Sequence, residues 1–435
     1  MRDDAAGWGA EHAHDPTAVR DDDGTYWLFS TDTATDGPLR AGVQVRRSRD
    51  LVDWELHGWA LEGVPGPAAA WSGAEGLWAP DVVRVADGWR MYYSASSFGS
   101  RRSAIGLATA QHPGGPWTDG GVVVASDHLP DPAGLAHPNA IDAQVVVAPD
   151  GRHHLVYGSF FGGIHVLDLD PATGLAPGAP APGALHTAPG ALVARRPRSV
   201  DGAVEGAFVV ERPGGGWALL VSHGSLFSTY HVRVGVSDDV EGPYLDRSGR
   251  DLADLDAPDA GTTVLAGHRF AGGPGLLAPG HASVLTEPGR QTLVHHVRDA
   301  HDPTRHRVQV RRLVWTHDGW PLVAPQPWAG PSREVDDESA WPSDVAQLVG
   351  TWDRVHLDTD PSAVQASVRG PLDVAPGSGR AHGRGRFTWA TSAGVEVAAV
   401  VFPSWDAVRG RAATSVTALG DDGRVVVATR VEDEP

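Results

Sequence analysis

Through most of the chain, apolar residues come in short runs that alternate with polar ones at a period of two. Val43-Gln44-Val45-Arg46-Arg47 and Val232-Arg233-Val234-Gly235-Val236 are examples. Such alternation sends successive side chains to opposite faces and predicts half-buried strands. No long stretch carries the spacing of an amphipathic helix. One unit recurs. A polar residue opens a short strand, a Gly-containing turn follows, and an aromatic-rich strand often ends in Ser. The copies begin at Asp15, Asp81, Asp142, Glu205 and His281, roughly 60 to 75 residues apart. A third strand follows in most copies, as in Ser103–Ala110 or His306–Trp315.

Units of this length with about four strands are propeller blades. The pattern therefore predicts an all-β chain: a five-bladed β-propeller over residues 1–330, then a small all-β sandwich or barrel over 331–435. The boundary falls near 326–342, where Pro, Gly and charge accumulate. In the tail, the stretches around Trp352, Phe387, Val400 and Val426 look like strands. The segments 63–70 and 177–194, rich in Ala, Pro and Gly, are expected to be surface loops. In a propeller the first strand of each blade lines the central channel. The five opening residues are thus expected at equivalent places at one end of it.

Composition narrows the chemistry. The net charge of −19 disfavours nucleic acid and anionic membrane as partners, while a neutral polymer is compatible. No Cys is present, which excludes disulfides and thiolate chemistry. No apolar stretch is long enough to span a membrane, and the first residues carry no signal-peptide core. As written the protein is expected in the cytoplasm, or outside the cell if a signal peptide was removed. The 16 Trp residues suit blade cores first and sugar platforms second. No phosphate loop, dinucleotide fingerprint, zinc-protease helix or serine-hydrolase elbow occurs. Several carboxylates facing one another across a channel suit glycoside hydrolysis. That reaction needs one protonated and one ionised carboxyl, and a wide separation between them leaves room for water and gives inversion.

The stretches His14-Asp15-Pro16, Trp78-Ala79-Pro80-Asp81, Asn139-Ala140-Ile141-Asp142, Val204-Glu205-Gly206 and Gly280-His281 resemble, in order, the blade motifs of glycoside hydrolase family 43. Residues 94–108 and 157–170 resemble its endo-1,5-α-L-arabinanase branch. The resemblance covers about residues 12–325. It implies a glycosidase that inverts at α-1,5-linked arabinofuranose in arabinan or arabino-oligosaccharides, hence a neutral plant cell-wall carbohydrate as partner. It also implies roles: Asp15 as general base, Glu205 as general acid, and Asp142 as the carboxylate that tunes and orients the acid. His281 would stand beside a channel ion, usually calcium and largely water-coordinated. Trp78, Phe98, Asn139 and Ser159 would lie near the sugar subsites, and Asp81 has no fixed catalytic role. No organic cofactor is implied, and the oligomeric state is left open. An α-L-arabinofuranosidase, a β-xylosidase and a non-catalytic sugar-binding propeller stay open as alternatives.

Several residues also have bland readings. His301-Asp302-Pro303-Thr304 repeats His14-Asp15-Pro16-Thr17 letter for letter, but it falls between two strands and reads as a structural loop. Glu205 has an ordinary salt bridge to Arg195 or Arg196 as its bland reading. His295 and His296 alternate in face and cannot chelate together. Phe160 and Phe161 are sugar platforms or blade filling.

Overall fold

The computed structural model describes residues 7–34, 38–128, 137–177, 189–357 and 364–431. Five four-stranded antiparallel sheets, each made of strands consecutive in sequence, form the blades of a five-bladed propeller. Their innermost strands are Thr17–Arg20, Leu77–Val85, Gln144–Val147, Val204–Glu211 and Leu276–Glu287. Each packs against the next in order, and Leu276–Glu287 returns to Thr17–Arg20, which closes the ring. Backbone pairing seals the closure. The His12 N–H donates to His306 O and the Val308 N–H to Ala10 O, both at 2.9 Å. Between blades lie apolar cores such as Phe29, Leu77, Met91 and Trp117, or Val156, Val204, Leu219 and Tyr244.

Two segments expected as loops differ. Residues Gly66–Ser72 form an α-helix. Pro67 in its first turn and the Ala68–Ala70 run favour that state. Trp71 pins the helix to blade two by donating to the carbonyls of Ser103 and Ser126, each at 3.1 Å. Ala191–Ala194, at the end of the second segment, is the outermost strand of blade three. Its Ala-Leu-Val-Ala run supplies Val193 and Ala194 to a buried core. Residues 178–188 of that segment lie outside the described residues.

After blade five, Ala324, Trp328 and Trp341 of the connecting segment stay packed against the propeller. Trp328 is buried with Leu28, Leu51 and Val310, and its indole donates to Asp50 O at 2.9 Å. The tail is one seven-stranded antiparallel sheet that includes Trp352–Leu357, Arg386–Ala390, Glu396–Asp406, Arg411–Gly420 and Val425–Arg430. Period-two alternation gives this sheet two buried faces. Val397, Ala399 and Val401 face a core with Trp352 and Trp389. Val400, Phe402 and Val427 face Trp315, Leu322 and Val264 of blades four and five.

Candidate active site

The blade openings gather at one end of the ring, but the equivalent residues are not quite those that the repeat suggests. Five residues, one per blade, share a left-handed backbone: Asp15 (φ 48°), Ala79 (φ 40°), Asp142 (φ 58°), Gly206 (φ 58°) and His281 (φ 48°). Each precedes the regular part of its inner strand. For a residue with a Cβ this conformation costs about 1 kcal/mol or more. Hydrogen bonds from the neighbouring blade hold it. The N–H groups of Ala79, Asp142 and His281 donate to the hydroxyls of Thr31, Ser94 and Ser222 at 2.8, 2.9 and 2.8 Å. A hydroxyl at the end of the second strand of blades one, two and four is therefore a clamp for the next blade's opening. Gly206 is needed for space as well, since a Cβ there would meet His281 at 3.0 Å.

This register corrects the expected set. Ala79, not Asp81, is the blade-two equivalent of Asp15, and Glu205 stands one residue before its blade's equivalent position. Asp81 lies two residues deeper, in a channel of about 380 Å³ also lined by Thr17, Gln144 and Phe208. There it accepts from Thr17 Oγ1 at 3.2 Å and Val145 N–H at 2.8 Å, tying blades one, two and three together. Burial pushes its carboxyl up to about 6. Asp81 is a structural staple.

Asp15, Asp142, Glu205 and His281 do come together. Asp15 Oδ1 lies 2.9 Å from His14 Nδ1 and 3.0 Å from His281 Nδ1, and Oδ2 accepts from Thr31 Oγ1 at 2.7 Å. Burial would raise its carboxyl, but His14 and His281 outweigh burial and hold it well below the usual range. Asp15 is thus the member of the cluster whose surroundings favour the ionised form. Asp142 Oδ2 accepts from Gly206 N–H at 3.1 Å. Burial, together with the charges of Glu205 and Asp15, pushes the Asp142 carboxyl up to about 7. Glu205 Oε2 accepts from Ser159 Oγ at 2.9 Å. Burial, helped by the charge of Asp15, raises the Glu205 carboxyl despite His281. Three acids from three blades thus divide into one held ionised and two that favour retaining a proton. Burial would lower His281, but Asp15, Asp142 and Glu205 pull its imidazole up to about 9.

Arg195 and Arg196 bond the carbonyls of Ala253, Pro258 and Ala203, so neither supplies a salt bridge to Glu205. Ser159 sits on the Glu205 carboxylate itself. Asn139 is 4 % exposed and accepts from Ser103 Oγ at 2.7 Å within a buried polar chain that includes Ser96. Trp78 is half-buried at the start of its strand, and Phe98 is 81 % exposed at the rim. Phe160 and Phe161 are half-buried, with Arg101 over the Phe161 ring.

The structure adds residues that the sequence reading left unassigned. His296 accepts the Asp15 N–H on Nδ1 at 3.3 Å and stacks on His14 with ring centres 3.8 Å apart. Burial drives its pKa well down, so it serves as a neutral acceptor. Tyr230 stacks on His296 and also bears on Glu205. The duplicated aromatic and Ser endings of the second strands were the available signal, since Thr31, Ser94, Ser222 and His296 all fall there.

Residues 9–321 match the family described as glycosyl hydrolases family 43. The chain belongs to that family. An extracellular endo-alpha-(1->5)-L-arabinanase 1 of Bacillus subtilis (strain 168) is 32% identical over 73% of this chain and 90% of its own length. An extracellular exo-alpha-(1->5)-L-arabinofuranosidase of Cellvibrio japonicus (strain Ueda107) is also 32% identical, over 71% of this chain and 86% of its own. The crystal structure of an endo-1,5-alpha-L-arabinanase from Thermotoga petrophila RKU-1 superposes with a TM-score of 0.81 at 26% identity. It covers 98% of this chain and 99% of that one, so the tail sheet is part of the likeness. This family 43 chain is a glycoside hydrolase, and the buried acids at its blade openings are its candidate catalytic groups.

Proposed function

We propose that this family 43 enzyme hydrolyses α-1,5-linked L-arabinofuranose chains by inversion, attacking within the chain and acting outside the cell. The single observation that carries the chemistry is the meeting of Asp15, Asp142 and Glu205, brought by blades one, three and four, in one buried cluster beside His281. In this mechanism Asp15, held as an anion by His14, His281 and Thr31, takes a proton from the attacking water. Glu205 gives its proton to the departing sugar oxygen. The two stand on blades one and four, which are not neighbours in a ring of five, and a spacing across the channel suits a water nucleophile. Asp142 sits beside the acid. Its repulsion favours a proton on the pair and keeps the acid competent near neutral pH. The arabinan substrate is supported by the curated relatives that act on it, and extracellular action by their description as extracellular. Endo action is supported by the exposed Phe98 at the rim, which suits an open cleft. Cleavage of debranched arabinan into oligosaccharides, with little activity on xylan, is the expected result. Cleavage of xylo-oligosaccharides alone would overturn the assignment.

The pH profile tests the part given to Asp142. Activity on the alkaline side is lost as the acid loses its proton. In Asp142→Asn the negative neighbour is gone, the acid's pKa falls, and the alkaline limb of kcat/KM moves to lower pH by about one unit. An unmoved limb would separate Asp142 from the acid.

A calcium ion beside His281 remains our proposal. His281 Nδ1 is taken by Asp15, so Nε2 is the one ring nitrogen open to an ion, and water must complete the shell of a cation that prefers oxygen. The residues fit only a mostly hydrated ion attracted by the three carboxylates. When bound, it would offset their charge in place of a proton on His281. The midpoint of thermal unfolding should fall after dialysis against EDTA and recover with added calcium. An unchanged midpoint and unchanged activity would remove the ion from the account.

A further inference from the structure

Among the described residues, only two Phe, Trp or Tyr side chains are exposed: Phe98 at 81 % and Phe227 at 56 %. Both stand in loops joining the second and third strands of a blade, on the side of the ring where the carboxylates gather. Phe98 comes from blade two and Phe227 from blade four, which are not adjacent. Phe227 is not free to wander. The Arg298 guanidinium lies 5.1 Å from its ring centre. Arg298 is 7 % exposed and is itself fixed. It donates to Leu226 O and Pro303 O, both at 2.7 Å, and approaches His14 Nε2 at 3.5 Å. Since His14 bonds Asp15, a continuous line of contacts runs from the rim ring to the ionised carboxylate. Pro303 belongs to the second His-Asp-Pro-Thr copy. That loop is structural, as its Thr304 N–H to Asp302 bond indicates, and its task is to hold Arg298.

We propose that Phe227 is a stacking platform for a furanose unit of the bound chain, beyond the sugar next to the scissile bond. An exposed ring with one face backed by a buried cation offers a flat apolar surface set at a fixed height. Sugar rings bury their C–H faces on such surfaces. Together with Phe98 across the mouth, it gives the cleft two anchor points and makes it select chains rather than single residues. The second His-Asp-Pro-Thr copy, through Pro303 and Arg298, would thereby support the substrate-binding cleft.

This inference rests on the reading that arabinan is the substrate, so wild type is assayed first on debranched arabinan and on 4-nitrophenyl arabinofuranoside. Phe227→Ala is then compared on both. The ratio of kcat/KM on the polymer to that on the aryl glycoside should fall about 10-fold, carried by KM, because one stacking contact is lost only by the longer ligand. Phe227→Trp should restore the ratio. An unchanged ratio, or an equal loss on both substrates, overturns the proposal. Wild type that leaves arabinan intact would instead overturn the substrate reading, and this inference with it.

Discussion

Asp15→Asn should keep its fold and lose at least about 10²-fold in kcat on debranched arabinan. The amide occupies the same space and can still engage Thr31, but it cannot accept a proton from water. The companion Glu205→Gln should lose a similar factor on arabinan, yet the two must part company on an activated aryl arabinoside. A nitrophenolate leaves without protonation, so loss of the acid matters little there. Loss of the base matters as before, since water still has to be activated. The diagnostic is the ratio of activities on the two substrates: collapsed for Glu205→Gln and unchanged for Asp15→Asn. Far-ultraviolet circular dichroism matching wild type would exclude unfolding as the cause. Equal behaviour of both variants on both substrates would contradict the roles given to them.

Asp32→Ala should destabilise the propeller by about 3 kcal/mol or more without touching the catalytic cluster. Asp32 is buried at the top of blade one and accepts three backbone N–H groups: Gly42 at 2.8 Å, Val43 at 2.9 Å and Leu77 at 2.8 Å. It thereby fixes the loop of blade one to the first strand of blade two. Alanine leaves those donors without an acceptor inside the protein, and each unsatisfied buried group carries a desolvation cost. Asp32→Asn retains one acceptor oxygen and should lose less. Urea unfolding read by Trp fluorescence gives both values. A midpoint for Asp32→Ala within error of wild type would refute this role.

The fold was legible because each blade is built from the same short unit, so a polar opener, a Gly-containing turn and an aromatic-rich strand recur five times along the chain. The short helix was missed because seven residues rich in Ala and Pro resemble a loop in composition. Only Trp71, packed on blade two, separates the two states. The outer strand Ala191–Ala194 was hidden by a Pro-rich neighbourhood. At the site, Asp15, Asp142, Glu205 and His281 were readable as strand openers. The exact register was not, because equivalence is set by a backbone conformation rather than by residue type. Asp81 looked like a member of the set, although the left-handed position of its blade belongs to Ala79. His296 and Tyr230 were invisible as site residues. Their part depends on the start of blade four's third strand meeting the second strand of blade five, where Tyr230 stacks on His296 and His296 meets Asp15, a contact between segments far apart in the chain.

Proton NMR during the first minutes of debranched arabinan hydrolysis tests the central claim most directly. Two acids on non-adjacent blades, with water activated between them and the anomeric carbon, predict that the new reducing end appears first as the β-anomer and then mutarotates. Initial release of the α-anomer would mean that a carboxylate, not water, attacks the sugar, and would contradict the account.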